Sequence, residues 1–156
     1  MKVRIRKIKL NKGKIRIDYE VRNAQGEYDQ FSLSCSEEPL PSFHQALQKL
    51  RRYVVEICEL PDEDEDRIEI KGVSISFAGP DDTMGCVISA QKELENSNAP
   101  LNLNTPHKIE GFYGGAGDPR RLMPGEMLDD LKVLFDECRR YIAGQRKQMT
   151  LPFGEG

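Results

Sequence analysis

Few side chains in this sequence have the types and spacing to do chemistry. His44 and His107 are its two histidines. Neither sits in a His-x-Asp or His-Glu-x-x-His pattern, so the spacing of a metal site is missing. The run Asp62-Glu63-Asp64-Glu65-Asp66 is acidic enough to attract a divalent cation. It lacks the alternation and the glycine of a calcium loop and reads as a solvated loop. Ser34-Cys35-Ser36 offers nucleophiles with no base nearby in the sequence to activate them. The expectation is a protein that is not an enzyme and holds no metal or cofactor. The richest stretch is 98–121, with Asn102, Asn104, His107, Phe112, Tyr113, Arg120 and Arg121 among several glycines. Glycines expose backbone N–H groups, aromatic rings stack on bases, and paired arginines grip phosphates. That chemistry suits a nucleotide. No Gly-Lys-Ser/Thr follows, and Gly114-Gly115-Ala116-Gly117 lacks the spacing of a dinucleotide fingerprint.

A second candidate is electrostatic. Residues 1–16 carry Lys2, Arg4, Arg6, Lys7, Lys9, Lys12, Lys14 and Arg16 and no acid, whereas 56–69 carry acids against Arg67 alone. The net charge of −3 hides this segregation. Lys2, Arg4, Arg6, Lys14 and Arg16 fall on one face of the first predicted hairpin and can neutralise nucleic-acid phosphates. Asp18, Glu20 and Glu27 dilute that face. The acidic 62–66 loop is a second candidate partner for it.

The elements that must position these groups follow from periodicity. Val3 and Ile5, then Ile8 and Leu10 after a phase slip at Lys7-Ile8, predict a bulged strand. Asn11-Lys12-Gly13 turns into a strand with Ile15, Ile17, Tyr19 and Val21 on one face, and Tyr28, Phe31, Leu33 and Cys35 mark a third. Ser42 and Gln45 form a capping box for a helix carrying Phe43, Ala46, Leu47, Leu50, Val54 and Ile57. Two more strands follow, at 68–77 with a slip at Gly72 and at 86–90. Roughly 95–123 lacks periodicity. A last helix runs from about Pro124 to Ala143, with Met127, Leu128, Leu131, Leu134, Phe135, Cys138 and Ile142 as its apolar stripe and Gly144 suited to its C-terminal cap. The expected fold is α+β, a five-stranded, mainly antiparallel sheet with two helices in the order β-β-β-α-β-β-loop-α. One domain is expected over 1–144 and a flexible tail over 145–156.

Composition agrees with a globular chain, at 38% hydrophobic and 31% charged over 156 residues. No apolar run reaches the length of a bilayer span, and residues 1–6 alternate rather than forming a signal peptide's apolar centre. A cytoplasmic protein is expected. There, the scattered Cys35, Cys58, Cys86 and Cys138 read as free thiols.

The last nine residues begin Gln148-Met149-Thr150-Leu151-Pro152-Phe153. This hexapeptide resembles the peptide by which bacterial replication and repair proteins bind the DNA sliding clamp. That peptide has Gln, then Leu or Met, a free position, Leu, a free position, and Leu or Phe. All four specified positions match. The resemblance implies that Gln148 bonds at the pocket rim, Met149 packs at its edge, and Leu151 and Phe153 fill the cleft. Pro152 limits the entropy lost on binding.

Three internal segments, 31–36, 56–61 and 98–107, resemble small proteins carried by bacteriophages and prophages. That likeness implies a bacterial or viral setting and brings no site residues with it. Together these readings give the expected function: a non-enzymatic phage accessory protein docked on the host clamp in DNA replication, recombination or repair. The alternative is an anti-defence protein that sequesters a nucleotide signal in the 98–121 loop. The third is a structural or assembly component. Sequence sets no oligomeric state.

Overall fold

A computed structural model describes residues 2–112 and 117–147. Three strands open the chain: β1 (Val3–Asn11), β2 (Lys14–Arg22) and β3 (Tyr28–Cys35). Helices α1 (Pro41–Gln48) and α2 (Arg51–Ile57) follow, then β4 (Ile68–Ala78), β5 (Thr83–Lys92), β6 (Leu101–Asn104) and β7 (Lys108–Ile109). Helix α3 (Met127–Ile142) is last. The fold is α+β, with one antiparallel sheet in the order β3-β2-β1-β4-β5-β6, and β7 also paired to β5. It has seven strands, not the expected five, and three α-helices, not two.

Both predicted phase slips are register shifts, one between Ile5 and Lys7 and one between Ile70 and Gly72. They return Ile8 and Val73 to the same face as Ile5 and Ile70, and all four are buried. Between them lies the only joint of β1 to β4, namely Lys7↔Ser74, Ile8↔Val73 and Lys9↔Gly72. One face of the sheet packs against the helices through a single apolar cluster. It includes Ile8, Ile17, Ile70 and Ile88 from strands and Phe43, Leu47, Leu50, Leu131 and Leu134 from helices.

The predicted first helix breaks after Gln48. Its side-chain amide donates to the Ile70 carbonyl (3.2 Å) and accepts from the Ile70 N–H (2.9 Å). Beyond the short β1–β4 joint those buried backbone groups lack a strand partner, so a helix side chain supplies one. The predicted capping box does not form. Leu40 is the N-cap without a side-chain bond, Pro41 opens the helix, and the Ser42 hydroxyl donates to Glu137 of α3 (2.7 Å). Pro41 has no N–H to cap and its fixed φ starts the helix two residues early. Helix α3 matches its predicted stripe, with Asp129 and Asp130 in the first turn, Arg139 and Arg140 in the last, and Gly144 beyond it at φ +96°.

The segment expected to be irregular contains β6 and β7, laid end to end along β5. At their joint Thr105 is buried, its N–H donating to the Ile88 carbonyl and its hydroxyl accepting from the Ile88 N–H, both 2.9 Å. The acidic run 62–66 forms a 3₁₀ turn rather than a loop, and Asp64 pairs with Lys92 (2.7 Å) instead of the basic hairpin. No helix among the described residues is long and apolar enough to cross a membrane.

Asp130 ties α3 to α2. Its buried carboxylate accepts from the Tyr53 hydroxyl, from Arg52 (3.0 Å) and from Lys49 (3.2 Å). Burial alone would raise its pKa. The bonds from Tyr53 and Lys49, with the charges of Lys49 and Arg52, outweigh burial and hold it below the usual carboxylate range. Its contribution is therefore complete above about pH 4 and lost as pH falls through the folded value. Asp130→Asn is expected to cost about 2 kcal/mol at pH 7 in urea unfolding, and its stability should depend less on pH below about pH 4 than the parent's. Gln48→Ala should cost about 1–3 kcal/mol by the same measurement, because Ile70 is left with unpaired backbone groups.

Candidate functional site

Arg4, Arg6 and Arg16 of the basic hairpin are neutralised from within. Glu20, itself buried, accepts from Arg4 (3.3 Å) and Arg6 (2.7 Å). The Arg4 guanidinium lies 3.8 Å from the centre of the Tyr28 ring and 4.1 Å from that of Phe77, and also reaches Asp82 at 3.4 Å. Arg16 holds Asp18 at 3.0 Å, and Ser32 donates to the same carboxylate at 2.7 Å. Burial opposes ionisation of Asp18, but the Ser32 and Arg16 bonds, with the charges of Arg16 and Lys7, lower its pKa. Lys2 and Lys14 form no ion pair among the described residues, yet they stand apart. Lys2 borders a groove with Phe77 and Phe135, and Lys14 borders a recess at the other end, with Lys12, Lys71 and His44. Of the five nominated residues, the three arginines form structural pairs and the two lysines remain exposed as separate charges.

The loop residues also divide. Asn102 and Asn104 are strand residues on β6, accepting from Gln91 (3.1 Å) and Ser89 (2.8 Å) on β5. Arg120 folds back on Asp118 at 2.8 Å. Its hydrogen bonds from side chain and backbone hold the Asp118 carboxyl below the usual range. Tyr113 lies outside the described residues. His107, Phe112 and Arg121 come together, lining a recess of about 340 Å³ with Ser76, Thr83 and Gly117. Ser76 Oγ and His107 Nε2 are hydrogen-bonded at 2.9 Å. Ser76, Thr83 and Gly85 carry no signal in the sequence, where they are ordinary residues of two strands flanking a turn.

Gln148, Met149, Leu151 and Phe153 lie outside the described residues, but the chain leading to them does not. Gln145 N–H donates to the Arg140 carbonyl (2.9 Å), Arg146 bridges to Pro39, and Lys147 N–H donates to the Glu38 carbonyl (2.9 Å). The Arg146 guanidinium lies 4.4 Å from the centre of the Tyr141 ring and pairs with Glu37 at 3.1 Å. Residues 145–147, expected to start a flexible tail, are thus bonded to the body because Tyr141 and Glu37 offer Arg146 a ring face and a carboxylate together.

Arg146 also donates to Cys35 Sγ at 3.5 Å, a contact across 111 positions that local sequence could not reveal. The four cysteines are free, but unequal. The neighbouring Tyr141 hydroxyl, the Glu37 N–H and the charge of Arg146 hold the Cys35 thiol below its ordinary value, against burial and the Glu37 carboxylate. Burial pushes Cys86 up to about 12, and raises Cys58 and Cys138 as well. Among the described residues no group of three or more His, Cys, Asp or Glu side chains is placed to hold a metal ion.

No protein-family model, curated protein or solved structure matches this chain.

Cys35 should be the first thiol alkylated by iodoacetamide in the native protein, with Cys86 and Cys138 protected until unfolding. Mass spectrometry of quenched time points checks this. Tyr141→Phe should slow Cys35 labelling, and equal rates at Cys35 and Cys86 would contradict the assignment.

Proposed function

We propose that this protein is a non-enzymatic accessory factor that docks on the bacterial DNA sliding clamp, in DNA replication, recombination or repair. The observation carrying this reading is the hexapeptide 148–153, whose Gln148, Met149, Leu151 and Phe153 satisfy every specified position of the clamp-binding pattern. The anchoring of Arg146 and Lys147 to residues 37–39 supports it. The peptide starts from a fixed point on the body, and six extended residues reach at most about 20 Å from there. An extended peptide in a groove is a recurrent mode of recognition, read by a few side chains. Leu151 and Phe153 are the apolar anchors, each contributing about 1.5–3 kcal/mol when fully buried. After ordering costs, a dissociation constant of about micromolar order is expected.

The body suits an adapter more than a reader of DNA. Its arginines at positions 4, 6 and 16 are bound to Glu20 and Asp18, which leaves lysines as the unpaired charges of the basic run, point charges without the bidentate fork that reads base edges. Contact with the duplex is therefore assigned to the clamp, with Lys2 and Lys14 as secondary contributors.

A labelled peptide of residues 145–156 should bind purified bacterial clamp and be displaced by the full-length protein. Leu151→Ala with Phe153→Ala should weaken full-length binding by about tenfold or more, from the lost apolar burial. Unchanged affinity in the double variant would reject the tail as the docking element.

A further inference from the structure

We propose that the recess beside the β4–β5 turn is a binding site for a mononucleotide. In this assignment His107, Arg121 and the Ser76 and Thr83 hydroxyls face the phosphate, and Phe112 faces the base. The proposal does not depend on the tail.

The walls come from segments far apart in sequence, and backbone bonds hold each in place. β7 pairs with β5 through Gly85↔Ile109 and Cys86↔Lys108. Next to β7, Ile109 bridges in parallel to Leu122, and Met123 N–H donates to the Ile109 carbonyl at 2.9 Å. Lys108 donates through Nζ to the Arg120 carbonyl. These bonds fix the backbone at Arg121 beside the strand that follows His107. The site is thus part of the sheet edge rather than a free loop.

Two glycines seat its side chains. A Cβ on Gly85 would lie 2.3 Å from His107 Nε2 and 2.9 Å from Ser76 Oγ. The imidazole therefore lies against bare backbone, within bonding distance of Ser76. A Cβ on Gly117 would come within 2.6 Å of the Phe112 ring, so that ring is seated the same way. Each of these close approaches requires glycine.

The donors of the recess suit an anion. Of the nearby carboxylates, Asp118 is paired with Arg120 at 2.8 Å and Asp82 with Arg4 at 3.4 Å, Glu110 accepts from the Met84 N–H at 2.5 Å, and Asp81 in the turn forms no ion pair among the described residues. Arg121 lines the recess and forms no ion pair among the described residues. A guanidinium, an imidazole, two hydroxyls and an aromatic ring lining one recess match a phosphate joined to a flat heterocycle. The volume, about 340 Å³, lies at the small end of the range of about 300–1,000 Å³ for ligand pockets. It therefore fits a mononucleotide better than a dinucleotide. The Ser76–His107 bond is not assigned a catalytic role, because no carboxylate orients the imidazole among the described residues.

Calorimetry of the full chain with AMP, GMP, CMP and UMP, and separately with adenosine and inorganic phosphate, tests the assignment. At least one nucleotide should bind more tightly than either of its parts. Arg121→Ala and His107→Ala should each weaken it by about tenfold, as expected for loss of a charge-assisted hydrogen bond. Gly85→Ala should weaken it too, by displacing the imidazole without removing it. Phe112→Ala should narrow the preference for nucleotide over phosphate. Arg121 is exposed, so its variant should keep the parent's circular dichroism and serve as the reference if Gly85→Ala fails to fold. Binding by none of the four nucleotides, binding no tighter than phosphate, or unchanged affinity in Arg121→Ala and His107→Ala would overturn the proposal.

Discussion

Three residue pairs between β1 and β4 hold the two halves of this sheet together. On one side stands the meander β1–β2–β3, and on the other the hairpin β4–β5 with its short additions. A bulge bounds the joint on each strand, so the ladder cannot extend in either direction. Such a seam is too short to be held by backbone bonds alone. The apolar layer beneath it carries the load, since Ile8 and Val73 at the seam belong to the same buried cluster as Leu47, Leu50, Leu131 and Leu134. Gln48 extends the seam by other means, offering its amide where a strand would otherwise sit. At the break between α1 and α2 the Leu50 N–H bonds back to the Leu47 carbonyl at 3.2 Å, a tighter turn than the α-helix on either side.

Much of this fold was legible in the residues. Alternation located β1 to β5, and both phase slips were bulges, because burying one face forces a strand to recover its phase after each irregularity. The stripe of α3 was equally plain. The missed features depend on distant partners. Ser42 caps nothing locally because Glu137 lies within its reach. β6 and β7 escape periodicity because they are short and half-exposed, and because Thr105 replaces strand pairing between them with its own hydroxyl. Of the loop residues, His107, Phe112 and Arg121 share a recess, whereas Asn102 and Asn104 are cross-strand partners and Arg120 is tied to Asp118. Glycine and arginine content singled out the segment as a whole. It could not tell which side chains converge, since Ser76 and Gly85 enter from another hairpin.

Charge was the least transferable reading. A run of basic residues with no acid looks like a binding face when read along the chain. Folded, it meets the acids of its own partner strand, and Glu20 is drawn under two arginines. For the arginines, linear segregation of charge became neutralisation by acids of β2, whereas the lysines of the run form no ion pair among the described residues.

The bond between Lys147 and Glu38 also sets a leash length. Consecutive Cα atoms are about 3.8 Å apart, so whatever grips Gln148 sits within about one residue of the folded body. A partner holding the peptide cannot carry this protein at arm's length. It would have to accommodate the end of β3 and the Glu37–Glu38 corner in the same embrace. In such a complex the body would be part of the docking geometry, and its bulk would exclude competitors from the adjoining surface.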